Sequence, residues 1–245
     1  MCFHYAMSKD AQTLENRYKA QFKAAKTPLE KQYHASAFLY PAMPVVSTEA
    51  PETIQMFQWG LIPSWTKSKA DADRIRSMTH NAKAETVFEL PSFRNAIKRS
   101  RCLVAAEGFY EWRDFQKKKY PYFIWMKEVE VFSFAGISEQ WIDKESGEIV
   151  NSFSILTTEA NDLMAQIHNF KLRMPVILSP ENEREWIVPS TSKERIQELA
   201  KGLASDRMGA YTIDKLISSN QFNSNVPEVQ EEFVYAELPE ISYSI

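Results

Sequence analysis

The chain has 245 residues, of which 44 % are hydrophobic, 13 % aromatic and 25 % charged, and its formal net charge is −3 at pH 7. This composition is typical of a folded globular protein and excludes an intrinsically disordered chain. The slight acidic balance excludes a protein that coats nucleic acid through bulk electrostatics, although local basic patches can still bind it. No stretch approaches the roughly 20 apolar residues of a membrane span, and no signal-peptide pattern opens the chain, so we expect a cytoplasmic protein.

The pattern of apolar residues predicts a helix near the start of the chain and strands in its middle. Leu14, Tyr18, Phe22 and Ala25 recur at near-helical spacing, which predicts an amphipathic helix over residues 10–26. The chain is extended and apolar from about 36 to 65. Segments rich in Val, Phe, Tyr and Ile predict strands at 101–112, 120–126, 131–137 and 150–157.

Turn-forming residues at Asp114–Lys119 and Asp143–Gly147 join two pairs of these strands, which favours antiparallel pairing. Thr157 and Thr158 are good N-terminal caps for a helix over 159–168. Two further short helices are predicted at 180–187 and 192–203, and the last forty residues are polar and irregular. Without repeats or linkers, these elements predict one α+β domain spanning residues 1–245.

The residue directly behind the initiator methionine is a cysteine, and removal of Met1 would make Cys2 the N-terminus. Cys2 would then carry a thiol with a pKa of about 8.5 and an α-amine with a pKa of about 7.7 to 8. The amine condenses with an aldehyde to a Schiff base, and the thiol then adds to the imine carbon and closes a thiazolidine ring. An incidental cysteine on a frayed terminus is the alternative interpretation.

Three further strings place reactive side chains among apolar or aromatic neighbours: Asn81–Thr86, Glu107–Trp112 and Ile167–Pro175. Glu111 lies between two aromatic residues, where partial burial would raise its pKa toward that of a general acid or base. The alternatives are an edge-strand carboxylate at Glu111, a structural histidine at His168 and a capping asparagine at Asn81.

In this order, and with Trp59-Gly-Leu-Ile-Pro-Ser-Trp65 between the first two, these motifs resemble the SOS response-associated peptidase (SRAP) family, or abasic site processing proteins. The resemblance covers residues 2–179. The region from about 180 carries no securely matched motif, although Ser218–Asn225 is similar to the family's last characteristic segment, and 225–245 is a C-terminal tail. The resemblance implies a largely antiparallel, barrel-like sheet flanked by helices. It also implies action on abasic sites in single-stranded DNA, where the opened deoxyribose presents an aldehyde.

The resemblance assigns catalytic roles to four residues. The nucleophile falls on Cys2, the substrate-orienting asparagine on Asn81, the catalytic glutamate on Glu111 and the catalytic histidine on His168. The family forms a thiazolidine crosslink between the N-terminal cysteine and the ring-opened sugar, which shields the lesion as part of the DNA damage response.

DNA contacts are expected from cations that bind phosphates and from aromatic faces that stack on bases. Core packing is the alternative role for the aromatic residues. The candidates are His4, Trp59, Trp65, Lys83, Arg94, Phe109, Tyr110 and Arg173.

The sequence departs from the family pattern in three places. Phe3 and His4 stand where the family has Gly-Arg, so a phosphate-binding arginine is replaced by a histidine that is largely neutral at pH 7. Lys83 replaces an arginine and loses its bidentate geometry. The spacing between His168 and Arg173 is longer than in the shorter form of the motif.

Two other functions stay open at this point: a cysteine-type peptidase, self-processing included, that uses Cys2 with Glu111 and His168, and a non-enzymatic binder of single-stranded lesions. A lyase activity on the lesion is a further enzymatic outcome. Two cysteines and four histidines without close pairing predict no metal and no cofactor. We expect a monomer whose partner is single-stranded DNA and which associates with the nucleoid when bound.

Overall fold

The computed structural model describes residues 2–22, 29–219, 221 and 223–241. The strands are β1 (His4–Met7), β2 (Gln21–Phe22), β3 (Gln32–Ser36), β4 (Ala42–Ser47), β5 (Ala50–Trp59), β6 (Asn81–Lys83), β7 (Arg101–Ala106), β8 (Gly108–Phe115), β9 (Lys118–Met126), β10 (Phe132–Ile142), β11 (Ile149–Glu159), β12 (Arg173–Pro175), β13 (Ile177–Leu178) and β14 (Met208–Thr212). The α-helices are α1 (Ala11–Tyr18), α2 (Lys69–Arg76), α3 (Ala96–Arg99), α4 (Asp162–Ile167), α5 (Pro180–Trp186) and α6 (Lys193–Leu199). Within these described ranges no helix has both the length and the apolar character needed to cross a membrane.

Five strands form a closed barrel in the order β11-β10-β7-β4-β5. Neighbours along this path are antiparallel, and a parallel pairing of Phe153 in β11 with Trp59 in β5 closes the ring. Large side chains such as Trp59, Phe134 and Phe153 are fully buried and form its core. The expected α+β fold with a largely antiparallel, barrel-like sheet is therefore confirmed.

A second sheet packs beside the barrel, with strand order β14-β9-β8-β1-β3. The chain passes from the barrel strand β7 into β8 at Glu107, and β1 pairs with β8 through Tyr5 opposite Phe109. Because this pairing is antiparallel, the residues just before β1 lie beside the later part of β8. Cys2 and Phe3 are therefore placed next to the Glu111 region.

Both predicted turns are present. The β8–β9 hairpin turns at Gln116 and Lys117, whose φ angles are 49° and 62°, as a two-residue turn matched to strand twist requires. The β10–β11 turn is held by the Asp143 carboxylate, which accepts hydrogen bonds from the Glu145 backbone N–H and the Ser146 hydroxyl.

Three predictions about elements are corrected. The first helix ends at Tyr18, because Lys19 adopts the left-handed conformation (φ 49°) and the chain continues as β2 along β5; Ala25 lies outside the described residues. Thr157 and Thr158 belong to β11, and Asn161 caps α4 instead by accepting from Met164 N–H at 2.9 Å. The polar C-terminal region contains β14, which pairs with β9.

Substitution of Gly108 tests the tight packing at the start of β8. A Cβ atom there would overlap the Phe123 ring and lie 2.9 Å from the carbonyl oxygen of Ile124. We expect Gly108→Ala to lower the free energy of unfolding by about 1–3 kcal/mol in urea titrations, as overpacking does. Gly202→Ala is the control, because its nearest neighbouring atom is 3.4 Å away. Equal stability of the two variants would contradict this account.

Candidate active site

Cys2 lies immediately before β1 and is completely buried. Its Sγ donates a long hydrogen bond to the His4 carbonyl oxygen at 3.7 Å. The Asn81 side chain holds the backbone of the same residue, because its Nδ2 donates to the Cys2 carbonyl oxygen at 2.8 Å. Asn81 is the first residue of β6, which runs parallel to β11. Cys2 is thus anchored to the strands around the barrel.

Glu111 and His168 come together at the same end of β8. Glu111 follows Phe109 by two residues in β8 and therefore shares its face of the sheet, while His168 ends α4. The Glu111 Oε2 and His168 Nε2 atoms are 3.9 Å apart, and both side chains are largely buried. The distance exceeds that of a direct hydrogen bond, so a substrate atom can contact both groups.

Burial sets the protonation of this pair. It raises the pKa of Glu111 well above the usual range of a glutamate, to about 7. It lowers the pKa of His168, and the nearby Lys171 ammonium acts in the same direction. A carboxyl group with a pKa near the working pH can both accept and return a proton, which is what a general acid–base catalyst must do.

The hydrogen bonding of His168 defines its tautomer. Its Nδ1 lies 2.7 Å from the Arg173 carbonyl oxygen, which can only accept, so Nδ1 carries the hydrogen. In the neutral ring the lone pair is therefore on Nε2, the atom directed toward Glu111. A proton lost by Glu111 can be taken up at Nε2 of His168 in the same cavity.

The loop that follows α4 is held against β8 by a residue that the sequence did not single out. The Asn169 side chain accepts from Asp114 N–H at 3.0 Å and donates to the Asp114 carbonyl oxygen at 2.8 Å. Leu172 takes a left-handed φ of 51° and closes the loop back onto His168 through a 2.9 Å backbone hydrogen bond. The Asn169 side chain thus bonds the backbone of β8 as a neighbouring strand would. Because Asn169 directly follows His168, this contact holds His168 close to Glu111.

Burial also raises the pKa of the Cys2 thiol well above its usual range, and the negative charge of Glu111 adds to the effect. The thiol is therefore protonated at neutral pH, and a base must accept its proton before sulfur can attack. Glu111 is the neighbouring group able to do this.

A cavity of about 340 Å³ opens above the pair. It contains two lysines that form no ion pair with the described carboxylates, Lys119 on β9 and Lys171 in the loop after α4. The residues lining it are Phe3, His4, Glu111, Trp112, Asp114, Lys119, His168, Phe170, Lys171 and Ser218. Lys119 was detectable only as part of the basic run at the β8–β9 turn, and Lys171 only as part of the longer His168–Arg173 spacing.

Three aromatic DNA-binding predictions are wrong in this structure. Trp59, Phe109 and Tyr110 have 0 % of their surface exposed, so no base can stack on them. Trp59 donates through its indole N–H to the His80 carbonyl oxygen, and the Tyr110 hydroxyl donates to that of Tyr33. Their role is core packing. Trp65 is 50 % exposed but does not line the cavity.

The basic residues predicted to bind DNA lie in different surroundings. The Arg173 guanidinium is paired with both carboxylate oxygens of Glu85 at 2.6 and 2.9 Å and donates to Thr157, so it anchors the loop, and its contact with DNA stays a prediction. Lys83 and Arg94 are exposed outside the cavity, and their contact with DNA stays a prediction. His4 lines the cavity. Within the described part of the chain, no three His, Cys, Asp or Glu side chains are grouped to bind a metal.

Comparison with known proteins identifies the family. Residues 1–220 match the sequence model described as "SOS response associated peptidase (SRAP)". The chain belongs to the SRAP family. Abasic site processing protein YoqW of Bacillus subtilis is 37 % identical over 207 residues, which cover 82 % of this chain and 88 % of YoqW. Abasic site processing protein HMCES of Xenopus tropicalis is 30 % identical over 149 residues, 53 % of this chain and 43 % of HMCES.

A solved structure supports the same SRAP fold. A crystal structure of a protein from Bacteroides thetaiotaomicron is 41 % identical and superposes with a TM-score of 0.90, covering 95 % of this chain and 100 % of that one. The similarity extends beyond the family match into the C-terminal segment.

The raised pKa of Glu111 predicts a pH-dependent effect of Glu111→Gln on stability. The folded state holds the proton to a higher pH than the unfolded chain does, so the wild type loses stability as the pH rises from about 4.5 to about 7. We expect the variant to be more stable than the wild type by up to about 3 kcal/mol at pH 8 and equal to it near pH 4.5. Urea unfolding at both pH values measures this difference. A difference that is independent of pH would contradict the assignment.

Proposed function

We propose that this protein recognises abasic sites in single-stranded DNA and, once Met1 has been removed, forms a thiazolidine crosslink to the lesion through Cys2. The observation that carries the proposal is the position of Cys2: it is buried and held by Asn81 beside a Glu111–His168 pair in an open cavity. The names of YoqW and HMCES support the substrate class.

The first step joins nitrogen to carbon. The Cys2 amine attacks the aldehyde carbon of the ring-opened deoxyribose, and a C–N bond forms while the carbonyl oxygen takes up a proton. Loss of water then gives an imine. His168 protonates the ring oxygen as the closed sugar opens, and Glu111 accepts a proton from the amine and returns it to the departing hydroxyl.

The second step closes the ring. Glu111 takes the proton of the Cys2 thiol, sulfur bonds to the imine carbon, and the imine nitrogen is protonated. The overall change is one aldehyde and one aminothiol to one thiazolidine and one water. Because burial keeps the thiol protonated, this step needs a base, and Glu111 acts as a base here as it does in the first step.

The strand would lie across the cavity mouth. Lys119 and Lys171 are the cations that line the cavity, and Phe170 presents a ring that is 79 % exposed beside the partly exposed Trp112. Cations bind phosphates and exposed rings stack on bases without sequence preference, which suits a lesion that lacks a base.

Crosslinking to an abasic oligonucleotide tests the proposal, with intact mass and a denaturing gel as readouts. We expect a heat-stable adduct for the wild type, none for Cys2→Ala, and at least roughly 100-fold slower formation for Glu111→Gln, as loss of a general acid–base group produces. Glu111→Gln should bind an uncleavable tetrahydrofuran analogue of the lesion nearly as well as the wild type. Cys102→Ala is the matched control, because this second cysteine is buried away from the cavity.

The competing functions give different results in the same assay. Release of peptides from an unfolded polypeptide without any DNA adduct would replace the proposal with a peptidase. Strand cleavage without a retained adduct would indicate a lyase. If Cys2→Ala kept the full effect of the wild-type protein on the lesion strand, the protein would be a non-enzymatic binder.

The two cavity lysines predict the salt dependence of binding. Each phosphate contact on a single strand contributes about 0.7 to the slope of log affinity against log salt. We expect Lys119→Gln and Lys171→Gln each to reduce the slope by about that amount on the tetrahydrofuran strand. Lys144→Gln, in the exposed β10–β11 turn, should leave the slope unchanged. If Lys119→Gln and Lys171→Gln kept the same slope as Lys144→Gln and the wild type, the two lysines would be excluded as phosphate contacts.

A further inference from the structure

Three side chains form a hydrogen-bonded series that leads into the cavity. His4 Nδ1 lies 2.8 Å from His34 Nε2, and His34 Nδ1 lies 2.6 Å from the Ser224 hydroxyl oxygen. His4 is in β1, His34 is in the neighbouring strand β3, and Ser224 lies in the C-terminal segment beyond the family match, which ends at residue 220. His4 is the member that lines the cavity beside Glu111 and His168.

The series is held rigidly at both ends. The Asn225 side chain accepts from the backbone N–H groups of Tyr33 and His34 at 2.7 and 3.3 Å and thereby fixes its neighbour Ser224 against β3. The His4 ring contacts Trp112 edge-on, with ring centroids 5.0 Å apart, and also packs against Phe38. These contacts restrict rotation of the imidazole.

Both histidines are neutral at physiological pH. Burial lowers the pKa of His4 to about 3, and the neighbouring His34 adds to the effect; burial lowers the pKa of His34 to about 4. A neutral imidazole carries one N–H, so each ring donates at one nitrogen and accepts at the other. The direction of the series therefore decides whether the remaining nitrogen of His4 is a donor or an acceptor.

We propose that Ser224 and His34 hold His4 as a neutral hydrogen-bond donor to a phosphate of the bound strand. In this order the Ser224 hydroxyl donates to His34 Nδ1, His34 Nε2–H donates to His4 Nδ1, and His4 Nε2–H is left for the cavity. The opposite order would place a lone pair there, which repels an anion.

This inference rests on the proposed function, because it assigns one contact of the same DNA site. A neutral donor contributes affinity without releasing an extra counterion, so its contact responds to salt differently from a contact made by the Lys119 or Lys171 ammonium.

The tautomer is measured on the free protein by nitrogen-15 NMR of the histidine side chains, with His4→Gln and His34→Gln to assign the signals. We expect His4 and His34 both to carry hydrogen on Nε2 at pH 7. Ser224→Ala should turn this fixed state into a mixture of tautomers. Hydrogen on Nδ1 of His4, or free averaging in the wild type, would overturn the inference.

Binding to the tetrahydrofuran strand at several salt concentrations gives a second, independent measurement. His4→Phe keeps the ring packing and should weaken binding roughly tenfold, as loss of a hydrogen bond to a charged group does, with an unchanged salt slope. His4→Arg should increase the slope by about 0.7. Unchanged affinity of His4→Phe, or a reduced slope, would contradict the neutral contact. If wild-type protein failed to bind the strand at all, the proposed function would fail, whereas the tautomer measurement would still report on the series.

Discussion

The antiparallel pairing of β1 with β8 is the constraint on which the candidate site depends. Tyr5 opposite Phe109 fixes the register, and a shift of one residue would turn Glu111 to the other face of the sheet. The same pairing holds Cys2 beside that carboxylate. A residue near the start of the chain, where segments commonly fray, thereby becomes part of a buried site.

Burial sets the protonation of both acidic groups in this arrangement. Burial raises the pKa of both acids: it keeps the Cys2 thiol protonated at neutral pH and brings the pKa of Glu111 to about 7. The carboxyl group gains a pKa suited to proton transfer, while the thiol becomes unreactive until a base is available. The cavity, with Lys119 and Lys171 at its wall, supplies the positive charge that a nucleic acid needs and that the chain as a whole lacks.

The loop between His168 and Arg173 is anchored at both ends. Asn169 anchors one end of the loop to β8, Arg173 anchors the other end to Glu85, and the residues between them enter the cavity. This loop thus provides the cavity with an aromatic ring at Phe170 and a cation at Lys171. The extension of the single domain to residue 245 stays a prediction.

The sequence alone was sufficient for the fold class, most strands and the two turns, because alternation and turn chemistry are local properties. The motifs also singled out Cys2, Asn81, Glu111 and His168, whose catalytic roles stay predictions. The sequence could not show that Trp59, Phe109 and Tyr110 are core residues and not exposed rings on which bases could stack. It also could not show that Arg173 forms an ion pair with a glutamate 88 positions away. Exposure and charge pairing depend on which distant segments meet, and only the folded chain decides that. The same holds for the series from His4 to Ser224, whose members are brought together by β-strand pairing.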